Sequence, residues 1–440
     1  MEHKYYEYGI DLGTTSSCIA KADGNEFRIY QNKENVNTTR SAVYINKHGK
    51  TFVGLKAYNA QTNDKDNVET EFKRLMGTSN KKHFPSYGIS LSPIELSAEI
   101  LKSLKNDVKR LSGEDVKSVV ITVPAAFGTL QSEATYQSAK QAGFSQIHLL
   151  QEPIAAAIAY GATDKAKNKN WMVYDFGGGT FDVAIVSTYN NRLTILNNEG
   201  NNMLGGKDID IAIVEKIILP KIIKEFSLPE PNTDDYQILY TKLLLLAEEV
   251  KVELSSLHET MIYLDSNTFG CDIVGNEIDL EFEITRKDLE LKIEDLLNET
   301  IELAKAAVHG SGLSVNYINN IVLVGGSTQI PLVRNKLKDN FNCQQVLSKD
   351  PITIVSIGAA MYASVTEIEQ KYEVSTPTKE TLSVQLECDR ITSRLRTLIN
   401  GRFYGNVDIN EVKIESTDGM WDSGWFKLLD VKHKYFETEL

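Results

Sequence analysis

Two short segments join an aspartate to a turn of glycine and threonine, with strand-like residues on either side. They read GIDLGTTSSCIA at residues 9–20 and VYDFGGGTFDVAIV at residues 173–186. Glycine lets main-chain N–H groups approach phosphate oxygens, and threonine hydroxyls add donors without adding charge. An aspartate beside such a turn can hold Mg²⁺ through water, because this small cation keeps part of its hydration shell. One turn alone could be a simple hairpin, whereas the pair indicates a site that grips a triphosphate from opposite sides.

The two segments belong to an internal duplication. Each is followed by an apolar strand, a turn and a helix, at VVITVPAAF (119–127) in the first copy and IVLVGGSTQIP (321–331) in the second. The sequence contains neither a GxxxxGK[ST] P-loop nor a kinase-type glycine loop, so the two commonest phosphate-binding alternatives are not supported. The predicted chemistry therefore depends on two half-sites that face each other across a cleft.

The remaining sequence alternates strands with helical stretches, which favours an α/β class with mixed sheets. The clearest helix begins at Ser92, because Ser92-Pro93-Ile94-Glu95 supplies an N-cap, a first-turn proline and a capping-box glutamate, and Gly113 can end it. Two further long amphipathic stretches lie at about 238–257 and 286–309. These helices are predicted to form lobe surfaces and the wall of the cleft.

Composition and charge exclude several classes of protein. The 440 residues are 42% hydrophobic, enough for two to four packed domains. With 47 Lys and Arg against 60 Asp and Glu, the net charge of −13 repels a polyanion, so nucleic acid is not an expected partner. No apolar run approaches the length of a membrane span, and the N-terminus leaves no room for a secretory apolar core. The cysteines form no CxxC pair or metal-ligand spacing, which favours a reducing cytoplasm; they are Cys18, Cys271, Cys343 and Cys388.

The sequence pattern changes after residue 366. Residues 367–380 are polar, contain Pro377 and are predicted to form a linker. Residues 381–440 show short alternating runs, and Asn400-Gly401 and Asp418-Gly419 predict hairpin turns. This segment is expected to be a small β-rich unit. Its aromatic residues would form either a contact surface or the segment's own core; they are Trp421, Trp425 and Phe426.

Eight segments, in order along residues 5–365, resemble the signatures of the seventy-kilodalton heat-shock chaperones of DnaK type. Chance agreement of eight ordered segments is negligible, although any one of them would be weak. The resemblance implies the actin-like ATPase fold, with duplicated ribonuclease-H-like lobes and four subdomains around a nucleotide cleft. Lobe I would span about residues 1–165, and lobe II about 166–366. The segments are GIDLGTTSSCIA, EFKRLMG (71–77), VVITVPAAFG, LLQEPIAAAIAYG (149–161), VYDFGGGTFDVAIV, LGGKDID (204–210), IVLVGGSTQIP and SIGAA (356–360).

The resemblance also implies roles for single residues. Lys73 matches the catalytic lysine expected to reach the γ-phosphate and the attacking water, and Glu152 and Asp182 match acidic residues that order metal, ions and water. Asp11 and Asp175 would hold Mg²⁺ through water, with Asp182 beside them and K⁺ nearby. The phosphate turns would be Asp11, Gly13, Thr14 and Thr15, and Asp175, Gly177, Gly178, Gly179 and Thr180. The adenosine pocket would be Gly205, Gly206, Glu248, Lys251, Ser255, Gly325, Gly326 and Ser327.

These residues suffice for slow hydrolysis of ATP to ADP and phosphate. Phosphoryl transfer to water needs positioning and charge neutralisation more than covalent help, and one lysine, Mg²⁺ and several carboxylates supply both. No arginine in the motifs is an obvious arginine finger, so we expect low turnover. The nucleotide state would then set the closure of the lobes.

The sequence departs from the family where ATP use is coupled to a partner. No leucine-rich, aspartate-ended linker follows residue 365. Three residues that usually surround the interdomain switch are replaced, by Ala126, Thr129 and Ser132, and His148 stands where an arginine commonly contacts both the co-chaperone and the linker. The leading hypothesis is a chaperone-like ATPase that regulates binding of a protein partner or unfolded client by the C-terminal segment. A co-chaperone or nucleotide-exchange factor would assist it.

Three other hypotheses share the same fold or the same ligand. A nucleotide-gated scaffold would bind ATP or ADP with little turnover. An actin-like filament protein is disfavoured by GGSTQIP and LGGKDID, and a sugar kinase would require glucose- or glycerol-dependent release of ADP.

Overall fold

The chain is described by a computed structural model that covers residues 5–23, 26–161, 169–189, 192–341, 345–347 and 350–368, together with short strands between residues 383 and 439. Residues 5–161 are called lobe I here. Their elements, in chain order, are β1 (Tyr8–Leu12), β2 (Ser16–Asp23), β3 (Glu26–Ile29), β4 (Thr39–Arg40), β5 (Ala42–Ile45), β6 (Thr51–Val53), α1 (Leu55–Asn59), β7 (Val68–Thr70), β8 (Lys82–Phe84), β9 (Ile89–Leu91), α2 (Pro93–Ser112), β10 (Ser118–Val123), α3 (Thr129–Gln141), β11 (Gln146–Gln151) and α4 (Glu152–Ala159).

Lobe II begins with the strand that carries the second aspartate. A π-helical turn at Val214–Ile218 joins two of its helices. The elements are β12 (Lys169–Phe176), β13 (Phe181–Tyr189), β14 (Arg192–Asn201), α5 (Gly206–Ile213), α6 (Leu219–Glu225), α7 (Asp234–Ser256), β15 (Glu259–Leu264), α8 (Ser266–Phe269), β16 (Leu280–Thr285), α9 (Arg286–Gly310), β17 (Asn320–Val324), α10 (Pro331–Asn340), β18 (Gln345–Leu347) and α11 (Ile354–Ala363).

The two central sheets have the same topology, which confirms the predicted duplication. The first has the strand order β11-β10-β1-β2-β3, and the second has the order β18-β17-β12-β13-β14. In each sheet the aspartate-bearing strand pairs in parallel with an apolar strand on one side and antiparallel with its own hairpin partner on the other. The apolar strands β10 and β17 read as continuous hydrophobic runs because both of their faces are covered.

Two helices lie between the central sheets. Helix α11 packs on β1, β2 and β10 of the first sheet, while α4 packs on α11 and on strands of the second sheet. Small side chains allow this close approach, since Ala155, Ala156 and Ala359 are fully buried in the core between the sheets. A Cβ atom on Gly358 would overlap with the main-chain carbonyl of Ala155. The crossing of α4 and α11 therefore fixes the relation of the two sheets.

The insertions of the two halves form the walls of a cleft. In lobe I, the sheet β6-β5-β7 carries α1, and in lobe II the hairpin of β15 and β16 packs beside α7. The predicted helix start is confirmed, because Ser92 and Glu95 form a capping box and Gly113 ends α2 at φ 78°. The helices predicted at about 238–257 and 286–309 are Asp234–Ser256 and Arg286–Gly310.

The C-terminal segment contains strands, as predicted, but one predicted turn is wrong. Asn400 and Gly401 lie inside a central strand, because they pair with Glu387 and Leu386 on one side and with Glu437 and Phe436 on the other. Tertiary pairing thus overrides the local turn signal. Most of the predicted linker, Asp418-Gly419, Trp421 and Trp425 lie outside the described residues. The strands are β19 (Ser383–Cys388), β20 (Leu398–Tyr404), β21 (Glu411–Val412), β22 (Phe426–Lys427) and β23 (Tyr435–Glu439).

Within the described residues, no helix has the length and apolar character needed to cross a membrane.

Substitution of Gly358 by alanine is expected to destabilise the protein. In a helix, alanine is more favourable than glycine by about 1 kcal/mol. Overpacking of a core costs about 1–3 kcal/mol or more, and here the added Cβ would clash with the main-chain carbonyl of Ala155, which cannot move aside as a side chain can. We therefore expect a lower urea midpoint in equilibrium unfolding. Gly326→Ala is the control, since no atom lies within 4 Å of its added Cβ. Equal midpoints for the two variants would contradict the close crossing of α4 and α11.

Candidate active site

The two glycine turns face each other at the bottom of the cleft. The first joins β1 to β2 and the second joins β12 to β13, so each lies at the end of an aspartate-bearing strand. The turns are close, since a Cβ atom on Gly178 would lie 2.5 Å from the hydroxyl of Thr15. They border a cavity of about 530 Å³. All the predicted site residues line this cavity except Gly205 and Gly206: Asp11, Gly13, Thr14, Thr15, Lys73, Glu152, Asp175, Gly177, Gly178, Gly179, Thr180, Asp182, Glu248, Lys251, Ser255, Gly325, Gly326 and Ser327.

A buried ion pair lies in the deep part of the cavity. Lys73 Nζ lies 2.7 Å from Glu152 Oε1, and the two side chains are only 5% and 11% exposed. Lys73 comes from a 3₁₀ helix at Phe72–Leu75, and Glu152 is the first residue of α4 rather than its N-cap. Burial opposes the charge of Lys73, but Glu152 and Asp11 outweigh it and raise the pKa of the ammonium. Lys73 is therefore a fixed cation.

Three aspartates accompany this pair. Asp175 and Asp182 are opposite each other in the hairpin of β12 and β13, and Asp11 accepts a hydrogen bond of 3.0 Å from Thr122. Burial, followed by repulsion from Glu152, raises the pKa of both Asp11 and Asp182 to about 7. The same two causes raise the pKa of Asp175. Four carboxylates thus face one lysine, and the arrangement attracts further positive charge.

The residues present fit a polyphosphate with its magnesium ion. Among the described residues, no three carboxylate, imidazole or thiolate side chains converge closely enough to bind a metal directly. Mg²⁺ would therefore be held through phosphate oxygens and water, which suits its preference for retained hydration. The hydroxyl of Thr15 is buried without a partner in the protein, and it can donate to an anion between the turns. The glycines leave room there that a Cβ would fill.

Gly205 and Gly206 lie behind the second turn rather than on the cavity surface. The N–H of Gly206 donates to the carbonyl of Gly177 at 3.0 Å. A Cβ on Gly205 would lie 2.6 Å from main-chain atoms of Gly179, which requires glycine at this contact. The LGGKDID segment thus supports the phosphate turn from the back.

Comparison with protein families accounts for this arrangement. A family model described as "Hsp70 protein" matches residues 7–86 and 81–389, which is most of the chain. The chain belongs to the Hsp70 family. This membership and the duplicated sheets confirm the predicted actin-like ATPase fold. Hsp70 proteins are ATPases that bind ATP or ADP with Mg²⁺, and they bind protein clients and co-chaperones, which supports ATPase activity of a chaperone-like kind.

In this Hsp70 chain, the polar residues predicted for the adenosine pocket all have partners within the protein. Glu248 accepts hydrogen bonds from Arg40 at 2.6 Å and from Tyr58 at 2.9 Å. Lys251 forms an ion pair of 2.7 Å with Asp210. The remaining two fix main chain: Ser255 donates to the carbonyl of Lys251 and Ser327 to the carbonyl of Gly177.

Apolar side chains supply a surface for a flat base. Val252 is 61% exposed and Ile352 is 41% exposed, and both line the cavity. Gly325 and Gly326 lie beside them at the end of β17, where Gly325 has φ 85°.

Sequence reasoning missed two arginines that line the cavity. Arg40 belongs to none of the recognised motifs, and only the fold shows that it reaches Glu248 from the other lobe. Arg74 directly follows Lys73 in EFKRLMG, and its guanidinium donates to the carbonyl of Gly179 in the second turn. The adjacency to Lys73 was a signal that could have identified Arg74.

The partly buried aspartates of this Hsp70 chain predict a pH-dependent stability difference. The pKa of Asp182 rises from 3.8 to about 7 on folding, so protonation of its carboxyl group favours the folded state. This contribution to stability is fully present below about pH 4 and is lost as the pH rises to about 7. Asp182→Asn removes a partly buried charge that is repelled by Glu152, so we expect the variant to have the larger free energy of unfolding at pH 8. One pKa unit corresponds to about 1.4 kcal/mol, so the gain is up to a few kcal/mol.

Urea unfolding at pH 8 and pH 5 tests this, and the difference between variant and wild type should shrink at pH 5. The exposed Asp339→Asn is the control for the change in net charge. A variant that is less stable than wild type at pH 8 would show that the charge of Asp182 does not destabilise the fold.

Proposed function

We propose that this chain hydrolyses ATP slowly in a Mg²⁺-dependent reaction that opens and closes its lobes and thereby regulates binding of a protein partner. The buried Lys73–Glu152 pair beside Asp11, Asp175 and Asp182 carries the proposal. Such a cluster is costly to bury, and it lies where the two phosphate turns meet. We further propose that the C-terminal β-rich segment binds the partner, an unfolded client or another protein, with help from a co-chaperone or nucleotide-exchange factor.

Each group in the cavity has a separate role in the proposed hydrolysis. Lys73, held by Glu152, presents a fixed ammonium to the γ-phosphate and to the attacking water. The carboxylates of Asp175 and Asp182 orient water molecules, and the glycine turns donate N–H groups to the phosphates. Mg²⁺, with K⁺ beside it, would neutralise charge that develops on the phosphate oxygens. Asp11 and Asp175 would hold Mg²⁺ through water, with Asp182 as the third acidic group.

Closure of the lobes is supported by contacts across the cleft. Arg40 of β4 and Tyr58 of α1, both in lobe I, donate hydrogen bonds to Glu248 of α7 in lobe II. Arg40 and Glu248 line the cavity that would hold the nucleotide. A bound nucleotide would therefore be retained while these contacts persist, and its exchange would require the lobes to separate.

Single-turnover hydrolysis tests the enzymatic proposal. With radiolabelled ATP and Mg²⁺, we expect Lys73→Ala and Asp175→Asn to lower the rate by a factor on the order of 10²–10³, because each removes preorganised charge. The exposed Lys338→Ala is the matched control. Wild type that binds ATP but is no faster than Lys73→Ala would leave the nucleotide-gated scaffold as the function.

Nucleotide dissociation tests the contact across the cleft. Arg40→Ala removes an ion pair whose side chains are 29% and 19% exposed, and such pairs contribute up to about 1 kcal/mol. We therefore expect a fluorescent ADP analogue to dissociate about three- to fivefold faster. Lys82→Ala is the matched control, because the Lys82–Glu69 pair has similar exposure but lies within lobe I. Equal dissociation rates for both variants would remove Arg40 from the control of release.

A further inference from the structure

The carbonyl groups of the second glycine turn are all held from outside the turn. Each of the three consecutive glycines accepts a hydrogen bond from a donor elsewhere in the chain. The donors are the N–H of Gly206 at 3.0 Å and the hydroxyl of Ser327 at 2.8 Å for Gly177, the N–H of Lys207 at 2.8 Å for Gly178, and the guanidinium of Arg74 for Gly179.

These hydrogen bonds orient the N–H groups that follow. In a trans peptide the carbonyl and the next N–H point in opposite directions, and the described residues contain no cis peptide bond. Holding the carbonyls of Gly177 and Gly178 therefore aims the N–H groups of Gly178 and Gly179. In the same way, holding the carbonyl of Gly179 aims the N–H of Thr180.

One of these supports differs from the others in its origin. Gly206, Lys207 and Ser327 belong to the same lobe as the turn, so they hold it in both the open and the closed arrangement of the lobes. Arg74 belongs to lobe I, and its guanidinium lies against the turn, 2.9 Å from where a Cβ on Gly179 would be. The orientation of the Thr180 N–H is thus completed only when lobe I is in place.

Arg74 is itself held in position. Its guanidinium lies 3.1 Å from the carboxylate of Glu71, and the other oxygen of Glu71 lies 3.2 Å from the ammonium of Lys207 in lobe II. Glu71 has a left-handed φ of 57°, a conformation that a non-glycine residue keeps only where its surroundings fix it. Glu71 therefore joins Arg74 to the residue that supports Gly178.

We propose that Arg74 is a positioning residue that completes the second phosphate turn when the lobes close. This inference rests on the proposed hydrolysis for its effect on rate. Lys73 and Arg74 are consecutive in one 3₁₀ helix, so the movement that brings the ammonium to the phosphates also brings the guanidinium to Gly179. Arg74 acts on the main chain of the turn, whereas an arginine finger acts on the phosphate itself.

The first test is a rate measurement with chemical rescue. We expect Arg74→Ala to slow single-turnover hydrolysis about 10- to 100-fold, while the affinity for ADP changes less than threefold. Millimolar guanidinium should restore part of the rate, and methylammonium should not, because only guanidinium has two separate nitrogens that can reach the Gly179 carbonyl and Glu71 together. A wild-type rate in Arg74→Ala, or a lost rate that guanidinium does not restore, would overturn the proposal.

The control is another arginine with the same set of contacts. Arg110 donates to the carbonyl of Gln31 at 2.8 Å and pairs with Asp107 at 3.2 Å, three residues earlier, but all three lie within lobe I. Arg110→Ala should therefore leave the hydrolysis rate unchanged and show no rescue by guanidinium. An equal loss of rate in Arg110→Ala would count against a specific role of Arg74.

The second test does not require hydrolysis. Hydrogen exchange of peptides spanning residues 177–181 should be faster in Arg74→Ala than in wild type. The increase should be smaller in Glu71→Gln, which keeps the guanidinium of Arg74 but weakens its ion pair with residue 71. Unchanged exchange in both variants would overturn the proposal. Should wild type fail to hydrolyse ATP, the proposed function is lost, and this exchange measurement still decides the role of Arg74. Should Arg74→Ala fail to fold, Glu71→Gln decides it.

Discussion

The burial of charge is the constraint on which the rest of this structure depends. Lys73, Glu152 and three aspartates meet at one wall of the cavity, where they are largely shielded from solvent, and an unpaired charge in such surroundings is unfavourable. The Lys73–Glu152 pair relieves part of this cost, but the aspartates remain in excess. The raised pKa values of the three aspartates have the same cause, an excess of negative charge in a partly desolvated site. The excess negative charge therefore destabilises the fold in the absence of ligand, and bound cations together with phosphates reduce this cost. Ligand binding and the stability of the fold are thus coupled through these side chains.

Holding such charges together requires a rigid frame, and the duplicated sheets provide it. Asp11 and Asp175 lie on strands that pair with an apolar parallel strand on one side and with a hairpin partner on the other, and Asp182 lies on the hairpin partner opposite Asp175. The frame is closed by the contact of α4 and α11, where alanine and glycine leave no room for side chains to rearrange. Glu152 begins one of these helices. The ion pair is thus fixed to the closely packed contact of α4 and α11, while the walls of the cleft are formed by peripheral insertions.

The parts that sequence predicted are those whose signal is local. The aspartate-glycine turns, the capping box at Ser92 and the continuous apolar strands each follow from residues close together in the chain, and the structure contains them. Arg40 and Glu248 are separated by 208 residues, so no periodicity could join them. The turn predicted at Asn400-Gly401 failed for the related reason that strand pairing on both sides outweighs a local preference. The roles of the individual site residues remain predictions, because geometry places them around one cavity without showing what each one does.

The contacts across the cleft differ in kind from those inside each lobe. Each lobe has its own large apolar core, whereas the described contacts between the cleft walls include the ion pairs Arg40–Glu248 and Glu71–Lys207 and the hydrogen bond from Arg74. Partly exposed ion pairs contribute little net free energy, since the charges are nearly as well solvated apart. The closed and open arrangements are therefore expected to be close in free energy. A ligand shifts such an equilibrium only by its differential affinity for the two states. Under the proposed function, a change from ATP to ADP would have to supply only a small difference of this kind, because the polar contacts that close the cleft are weak while the charged site below them is rigid.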